Sequence, residues 1–165
     1  MRLRHALVAT LKSRRFWLWE IAGVIIYAIP AAIRFATGNV VIPFLNFPGD
    51  WIWHIIPGNL SEKVLVNAFF PGGAGGVAGE VFFNQYRGGE VTRLGKYKRR
   101  LAGALTQTAL WSALQFFGYY LLINGPWGGN IFESVFVVPI NFVLATLSIF
   151  TPDVMGFVKS KLLRH

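Results

Sequence analysis

Apolar stretches about as long as a bilayer is thick recur four times along this 165-residue chain, and most of the basic residues fall in short blocks outside them. A helix needs about 20 residues to cross the hydrocarbon core. Because backbone groups in lipid must pair within their own segment, each stretch is predicted to be α-helical. The expected fold is therefore an all-α, integral membrane four-helix bundle, formed by a single domain. The four spans cover about residues 16–35, 64–83, 101–123 and 131–150 of 1–165.

The composition indicates that lipid is the solvent for most of the chain's surface. Hydrophobic residues make up 54% of the chain and charged residues only 14%, whereas soluble domains carry about 25% charged residues. A net charge of +9 would suit nucleic acid if the charges formed one continuous surface. They form short blocks between apolar stretches instead, as in the loops of membrane proteins. The sequence therefore predicts a lipid bilayer, and no nucleic acid, as partner.

The distribution of positive charge predicts the orientation of the spans. Of the sixteen Lys and Arg residues, five precede the first span, six lie between the second and third, and three follow the fourth. These fourteen fall on one side of a four-span arrangement, and only Arg34 and Lys63 flank the other side. Since positive loops stay in the cytoplasm, both termini are predicted to be cytoplasmic. The expected topology is that of a multi-pass membrane protein.

Two segments outside the spans have a character of their own. In residues 2–15, Leu3, Leu7 and Leu11 repeat every four positions among basic residues. This amphipathic segment is either a helix on the inner membrane surface or a solvated tail. Residues 37–61 hold aromatic runs that prolines break and that are too short to span. This outer loop is expected at the interface, as an anchor or as a lid over a cavity.

The second span has the most distinctive local sequence, because a proline and several glycines interrupt it. Residues four apart share a helix face, so small residues at this spacing let another helix approach closely. A proline inside a helix removes one backbone donor and kinks or breaks the helix. Two interpretations stay open: a tight helix contact, within one chain or between two copies, and a broken helix that lines a polar path. The residues concerned are Pro71, Gly72, Gly75, Gly76 and Gly79.

Three carboxylates are predicted to lie near the inner ends of different spans, namely Glu20, Glu80 and Asp153. Ionisable groups within a span are costly and usually face the protein interior or water. Together they would bind an ammonium group or relay protons; alternatively, each pairs with a neighbouring Lys or Arg. Glu80 continues a face that is otherwise glycine and alanine, so it is the preferred proton or amine site.

Further polar residues within the spans, or at their ends, are candidates for a solute path. Gln107 and Gln115 share a face of the third span, Asn67 lies in the second, and Arg34 ends the first. Amides at such positions either hydrogen-bond between helices or line a path. Arg34 is expected to pair with Glu133 at the outer level, or else to bind a carboxylate.

The residue inventory excludes several chemistries. The chain has no cysteine, and its three histidines are far apart in sequence. Disulfides and cysteine-based metal sites are therefore excluded. No phosphate-binding, dinucleotide-binding or hydrolase motif occurs. The sequence predicts no enzyme activity, no cofactor and no metal site.

Short motifs in several parts of the chain match the pattern of one known family. They are Val66-Asn67 before the interrupted span, Leu101-Ala102-Gly103 after the basic connector, the Trp127–Ile131 turn, Arg2–Ala6 and Val24–Tyr27. On these motifs the chain resembles the bacterial L-alanine exporter family, small inner-membrane proteins with four spans. The outer loop is longer and more aromatic than that pattern, and the glycine motif lies in the second span rather than the last. The resemblance implies a multi-pass protein of the bacterial inner membrane, proton-driven export of a small neutral amino acid, and self-association.

Two functional hypotheses follow. The first is a small secondary transporter that exports a neutral amino acid such as alanine, coupled to protons, and that acts as a homodimer packed through the glycines. Glu80 would be its proton or amine site, with Arg34 or Gln115 as polar contacts. The alternative is a non-catalytic structural subunit of a larger membrane complex, whose glycine face, aromatic residues and outer loop dock partner membrane subunits.

Overall fold

The computed structural model describes residues 2–37, 60–88, 92–121 and 131–163, and the regular structure within these ranges is entirely helical. The all-α prediction is therefore confirmed for the described residues. The outer loop and the Trp127–Ile131 turn lie largely outside them. In chain order the elements are α1 (Arg2–Leu11), α2 (Arg14–Thr37), α3 (Leu60–Asn67), a π-helix (Ala68–Gly75), α4 (Gly76–Arg87), α5 (Arg93–Leu121), α6 (Ile131–Ser148) and α7 (Thr151–Leu162).

The π-helix lies at the centre of the packing. It joins α3 to α4 without a gap in sequence, and α2, α5, α6 and α7 all contact it. Every residue from Phe70 to Val77 is buried. The sequence explains this position, since the glycines leave little side-chain volume and let neighbouring helices approach the backbone.

Pro71 accounts for the change from α to π geometry. Proline has no N–H to donate, and its ring collides with the carbonyl group four residues earlier in an α-helix. A turn widened to π spacing pairs residues five apart instead. The amide of Gly76 donates to the carbonyl of Pro71, five residues back, and also to that of Gly73. The interruption predicted at Pro71 is thus observed as a π-helix that keeps the chain helical.

Two helix boundaries differ from the predicted spans. α5 begins at Arg93 rather than near residue 101, so most of the basic connector is helical. Lys and Arg are good helix formers, and a run of them does not end a helix. At the other end, α6 stops at Ser148 and a turn at residues 149–150 separates it from α7. Pro152 explains this break, because proline fits the first turn of a helix but not its interior.

The amphipathic N-terminal segment forms the helix α1, which packs against α4. Ala6 is fully buried, while Leu3, Leu7 and Leu11 are exposed. The indole N–H of Trp17 donates to the carbonyl of Leu11 over 2.6 Å, at the turn into α2. α1 therefore uses one face inside the molecule and leaves its leucine face to the surroundings.

Within the described residues, no single helix is both long and apolar enough to cross a bilayer by itself. The part of α6 from Val138 to Ser148 and the whole of α7 pass that test together, as a pair bent by 43°. Large apolar side chains are exposed on α2, α5, α6 and α7 alike.

Candidate functional site

Glycines bring α4 and α5 into direct backbone contact. A methyl group added at Gly79 would lie 2.2 Å from the carbonyl oxygen of Arg99. One added at Gly103 would lie 2.1 Å from the carbonyl oxygen of Gly75. Real Cβ atoms essentially never come within 3.0 Å of another heavy atom, so no larger residue fits unless the two helices separate.

The same close approach holds for two other neighbours of the π-helix. A methyl group at Gly72 would lie 2.3 Å from the carbonyl oxygen of Ser148 in α6, and one at Gly73 would lie 2.2 Å from the ring of Trp19 in α2. The tight contact predicted for the glycine motif thus lies within one chain. In the homodimer hypothesis, two copies of the chain pack through this glycine face. Contacts within one chain already occupy it.

Arg100, in α5, links α4 to α7. Its Nε donates to Glu80 Oε2 over 2.9 Å, and its Nη1 donates to Asp153 Oδ2 over 3.0 Å. Nη1 also donates to the carbonyl of Ile149 over 3.4 Å. The guanidinium carbon lies 5.9 Å from the ring centroid of Tyr97. Because the Arg100 side chain is 0% exposed, these partners must compensate the loss of its hydration.

Asp153 extends this group to the first turns of α5. Its Oδ1 accepts from Lys96 Nζ, and its Oδ2 from the hydroxyl of Tyr97, both over 2.9 Å. Asp153 also lies in the first turn of α7, where the helix dipole favours a negative charge. We call Glu80, Lys96, Tyr97, Arg100 and Asp153 the Arg100 cluster. Two positive and two negative groups balance within it, and they tie α4, α5 and α7 together.

Nη2 of Arg100 is buried and makes no hydrogen bond within the part of the chain that the structure describes. The aliphatic part of the same side chain passes Gly76, where an added methyl group would lie 3.7 Å from the Arg100 Cβ. Gly76 therefore borders a side chain at ordinary distance, whereas Gly79 borders the backbone of α5.

The third carboxylate, Glu20, has a different hydrogen-bond partner from the other two. Glu80 and Asp153 share Arg100, whereas Glu20 in α2 accepts a hydrogen bond from the amide of Gln107 in α5. The Cβ of Gln107 lies 3.0 Å from where a methyl group of Gly75 would be. Among the described residues, the charge of Glu20 has no cation to balance it.

Asn67 adds a polar contact at the other end of the π-helix. Its Nδ2 donates to Asn141 Oδ1 in α6 over 3.3 Å, and Asn67 is 4% exposed. Polar contacts therefore occur at three levels along α3, the π-helix and α4: at Asn67, beside Gly75, and at Glu80. Asn67 and Glu80, at the first and last of these levels, are thirteen residues apart in the sequence.

The side chains of some predicted site residues are not among those described, and one residue of the site was not predicted. Arg34 is in α2 and Gln115 in α5, but their side chains, and that of Glu133, fall outside the described part. The sequence pattern assigns Arg100 to a basic connector, so its burial is unexpected. The sequence did contain a sign of this burial. Arg100, Gly103 and Gln107 are three and four residues apart, so they share one face of the helix with Gln115.

The polar groups of this region are carboxylates, amides, a phenol and cations. In the described ranges, no three His, Asp or Glu side chains come together as a metal site would require. Comparison of the chain with protein-family models, with curated proteins and with solved structures finds no match.

Proposed function

We propose that the chain is an integral membrane protein with four spans and both termini in the cytoplasm. The observation that supports this is an inverted distribution of polarity, with Arg100 fully buried and large apolar side chains outside. Extensive exposed apolar surface is unusual for a soluble monomer, whereas lipid solvates it. Exposed examples on α2, α5 and α7 are Trp17, Leu18, Ile21, Val24, Leu110, Leu114, Val154 and Phe157.

The proposed spans follow the four apolar stretches, although two of them are not single straight helices. The second would consist of α3, the π-helix and α4 in succession, and the fourth would end at the bend between α6 and α7. Interrupted helices are tolerated in membranes where neighbouring helices surround the irregular backbone. The buried π-helix meets that condition.

Single cysteines can test this arrangement cleanly, because the chain has none of its own. Lys98→Cys, at an exposed position of α5, is expected to react with a membrane-impermeant maleimide only after spheroplasts are lysed. Gly128→Cys, between the third and fourth apolar stretches, is the matched control and should react in intact spheroplasts. The opposite labelling pattern would reject the orientation, and recovery of the chain in the soluble fraction would reject the membrane proposal.

Within this arrangement, we infer that a small solute moves along α3, the π-helix and α4. Three polar contacts follow these elements: Asn67 with Asn141, Gln107 with Glu20, and the Arg100 cluster. Buried polar groups in spans commonly mark solute or proton pathways, and transporters place interrupted helices at their substrate sites. The resemblance to L-alanine exporters supplies the solute class, a small neutral amino acid exported with coupling to protons.

Glu20 suits the role of proton carrier better than Glu80. The carboxylate of Glu80 lies 2.9 Å from the buried guanidinium of Arg100, so protonating it would break an ion pair between helices. Among the described residues, the hydrogen-bond partner of Glu20 is the neutral amide of Gln107. Glu20 can therefore gain a proton without breaking an ion pair. We therefore propose Glu20 and Gln107 as proton and solute contacts, and the Arg100 cluster as the support that holds the helices.

Transport of alanine by the reconstituted protein tests this assignment. Proteoliposomes loaded with labelled alanine are expected to release it faster when a proton gradient is imposed. In Glu20→Gln, which keeps the side-chain shape but carries no ionisable proton, we expect the gradient-driven rate to fall roughly ten-fold or more. The amide oxygen of the new Gln can still accept from Gln107, so the fall would report the missing proton rather than a lost hydrogen bond.

Glu80→Gln is the comparison for that experiment, because it removes the carboxylate that the sequence favoured as the proton site. It should keep gradient-driven efflux in the protein that remains folded. If Glu80→Gln abolishes efflux while Glu20→Gln does not, the proton site returns to Glu80. If the wild type releases no alanine faster than empty vesicles do, the transporter proposal is rejected.

A non-catalytic subunit of a larger membrane complex is the second proposal. It is favoured by large aromatic side chains that remain nearly half exposed, such as Trp17 on α2 and Trp111 on α5. The glycine face no longer supports it, because those glycines contact other helices of the same chain. Purification in mild detergent separates the two ideas: unrelated chains in fixed proportion favour the subunit, and the chain alone or with copies of itself favours the transporter.

A further inference from the structure

The N-terminal helix α1 and the end of α4 form an open cleft that the proposed solute path does not use. Arg2 and Leu3 line it from α1, Tyr86 and Arg87 line it from α4, and its volume is about 520 Å³. Clefts that hold small ligands have volumes of about 300–1,000 Å³. All four lining residues are exposed, so the cleft opens directly to the surroundings of the protein.

The cleft is cationic. Neither Arg2 nor Arg87 forms an ion pair with any described residue, and the aromatic neighbour of Arg87 is Phe83, at 5.8 Å from the ring centroid. The first fifteen residues contain five positive side chains and no acidic one. The two guanidinium groups and the phenol hydroxyl of the cleft are donors of the kind that bind phosphate oxygens. The cleft therefore favours a phosphate group over a neutral or cationic ligand.

An apolar stripe begins in the cleft and continues beyond it. Leu3 lines the cleft, and Leu7 and Leu11 follow along α1 at four-residue spacing, with all three exposed. A free phosphate or a sugar phosphate would leave these leucines in water. The acyl chains of a phospholipid would cover them, as they cover the apolar face of other interfacial helices. The pairing of two arginines with this stripe therefore points to a lipid rather than to a soluble phosphate.

We propose that this cleft binds the phosphate headgroup of an anionic phospholipid of the inner leaflet. Arg2, Arg87 and the Tyr86 hydroxyl donate to the phosphate oxygens, and the acyl chains lie along the leucines of α1. The inference rests on the proposed membrane location with a cytoplasmic N-terminus, and it does not depend on transport. Anionic lipids of the cytoplasmic leaflet attract basic segments at this level. A bound lipid would link α1 to α4 and hold the N-terminal helix at the membrane surface.

Native mass spectrometry of the full chain, purified in mild detergent from the membrane fraction, counts the phospholipids that stay bound. We expect the wild type to retain an anionic phospholipid in preference to a zwitterionic one. The double variant Arg2→Gln/Arg87→Gln should retain it roughly 25-fold less, because each of these two arginines binds the phosphate directly and contributes a factor of about five. Arg14→Gln/Arg15→Gln is the matched control: it removes two exposed charges of the same terminal region from outside the cleft and should keep the lipid.

Each other outcome decides against the proposal. Equal loss of lipid in both double variants would assign the binding to diffuse surface charge, and equal retention of zwitterionic lipid would remove the headgroup specificity. Loss of a dimer peak rather than a lipid peak in the cleft variant would assign the cleft to a second copy of the chain. A chain found only in the soluble fraction overturns the membrane and lipid proposals together, whereas a membrane-bound chain without selective lipid overturns the lipid proposal alone. Since both pairs of arginines are exposed, unfolding temperatures close to that of the wild type would verify that each variant is folded.

Discussion

Replacing Arg100 by methionine is expected to lower the free energy of unfolding by about 3 kcal/mol. Methionine keeps much of the side-chain length but leaves Glu80 and Asp153 without the cation they share. Removal of one partner from a buried ion pair costs about 3–5 kcal/mol. The lower end applies here, because the side chains of Glu80 and Asp153 are 19% and 35% exposed and water can partly replace the lost partner. Thermal or chemical unfolding of the purified chain measures the difference.

Lys98→Met is the matched control for that substitution. Lys98 is an exposed cation on the same helix, and its loss should change the free energy of unfolding by no more than about 0.5 kcal/mol. The double variant Arg100→Met/Glu80→Leu should lose less stability than the two single variants added together, because it removes a carboxylate together with its partner. If Arg100→Met is as stable as Lys98→Met, the Arg100 cluster does not hold α4, α5 and α7 together.

The second large effect is expected at the crossing of α4 and α5. Gly79→Ala or Gly103→Ala places a methyl group about 2 Å from a backbone carbonyl oxygen of the facing helix. Overpacking of a core typically costs about 1–3 kcal/mol. The upper part of that range applies, since backbone atoms cannot rotate aside as a flexible side chain can. We expect each substitution to lower the free energy of unfolding by about 3 kcal/mol, measured by the same unfolding experiments.

Two further glycines provide controls, because alanine at these positions is not expected to lower the free energy of unfolding. Gly156→Ala meets nothing within 4 Å, and Gly76→Ala meets only the Arg100 side chain at 3.7 Å. Alanine is favoured over glycine inside a helix by about 1 kcal/mol, so both substitutions are expected to be neutral or stabilising. Stabilisation by Gly79→Ala as well would contradict the backbone contact. If Gly79→Ala instead abolished a dimer and left the chain stable, the glycine face would join two copies.

The local sequence by itself determined the helical content and the place where the second apolar stretch is interrupted. Pro71 acts on its own turn of backbone, because its missing N–H and its ring affect only residues within about four positions. The resulting π-helix at Ala68–Gly75 therefore falls where the proline predicts it. Pro152 marks the start of α7 in the same way. The basic run from Arg93 marks a polar surface, but it did not mark the start of α5, since charged residues are compatible with helix.

Only the tertiary structure decided which polar groups meet. Small residues four apart show that a helix can come close, but not which helix comes, and the contacts of Gly79 and Gly103 place that partner within the same chain. That crossing sets the rotation of α5 about its axis. The rotation selects Arg100, among the five basic residues near the start of α5, to lie inside with Glu80 and Asp153, and it brings Gln107 to Glu20. Composition and periodicity describe one helix at a time, whereas these pairs depend on how helices distant in sequence are rotated and spaced against one another.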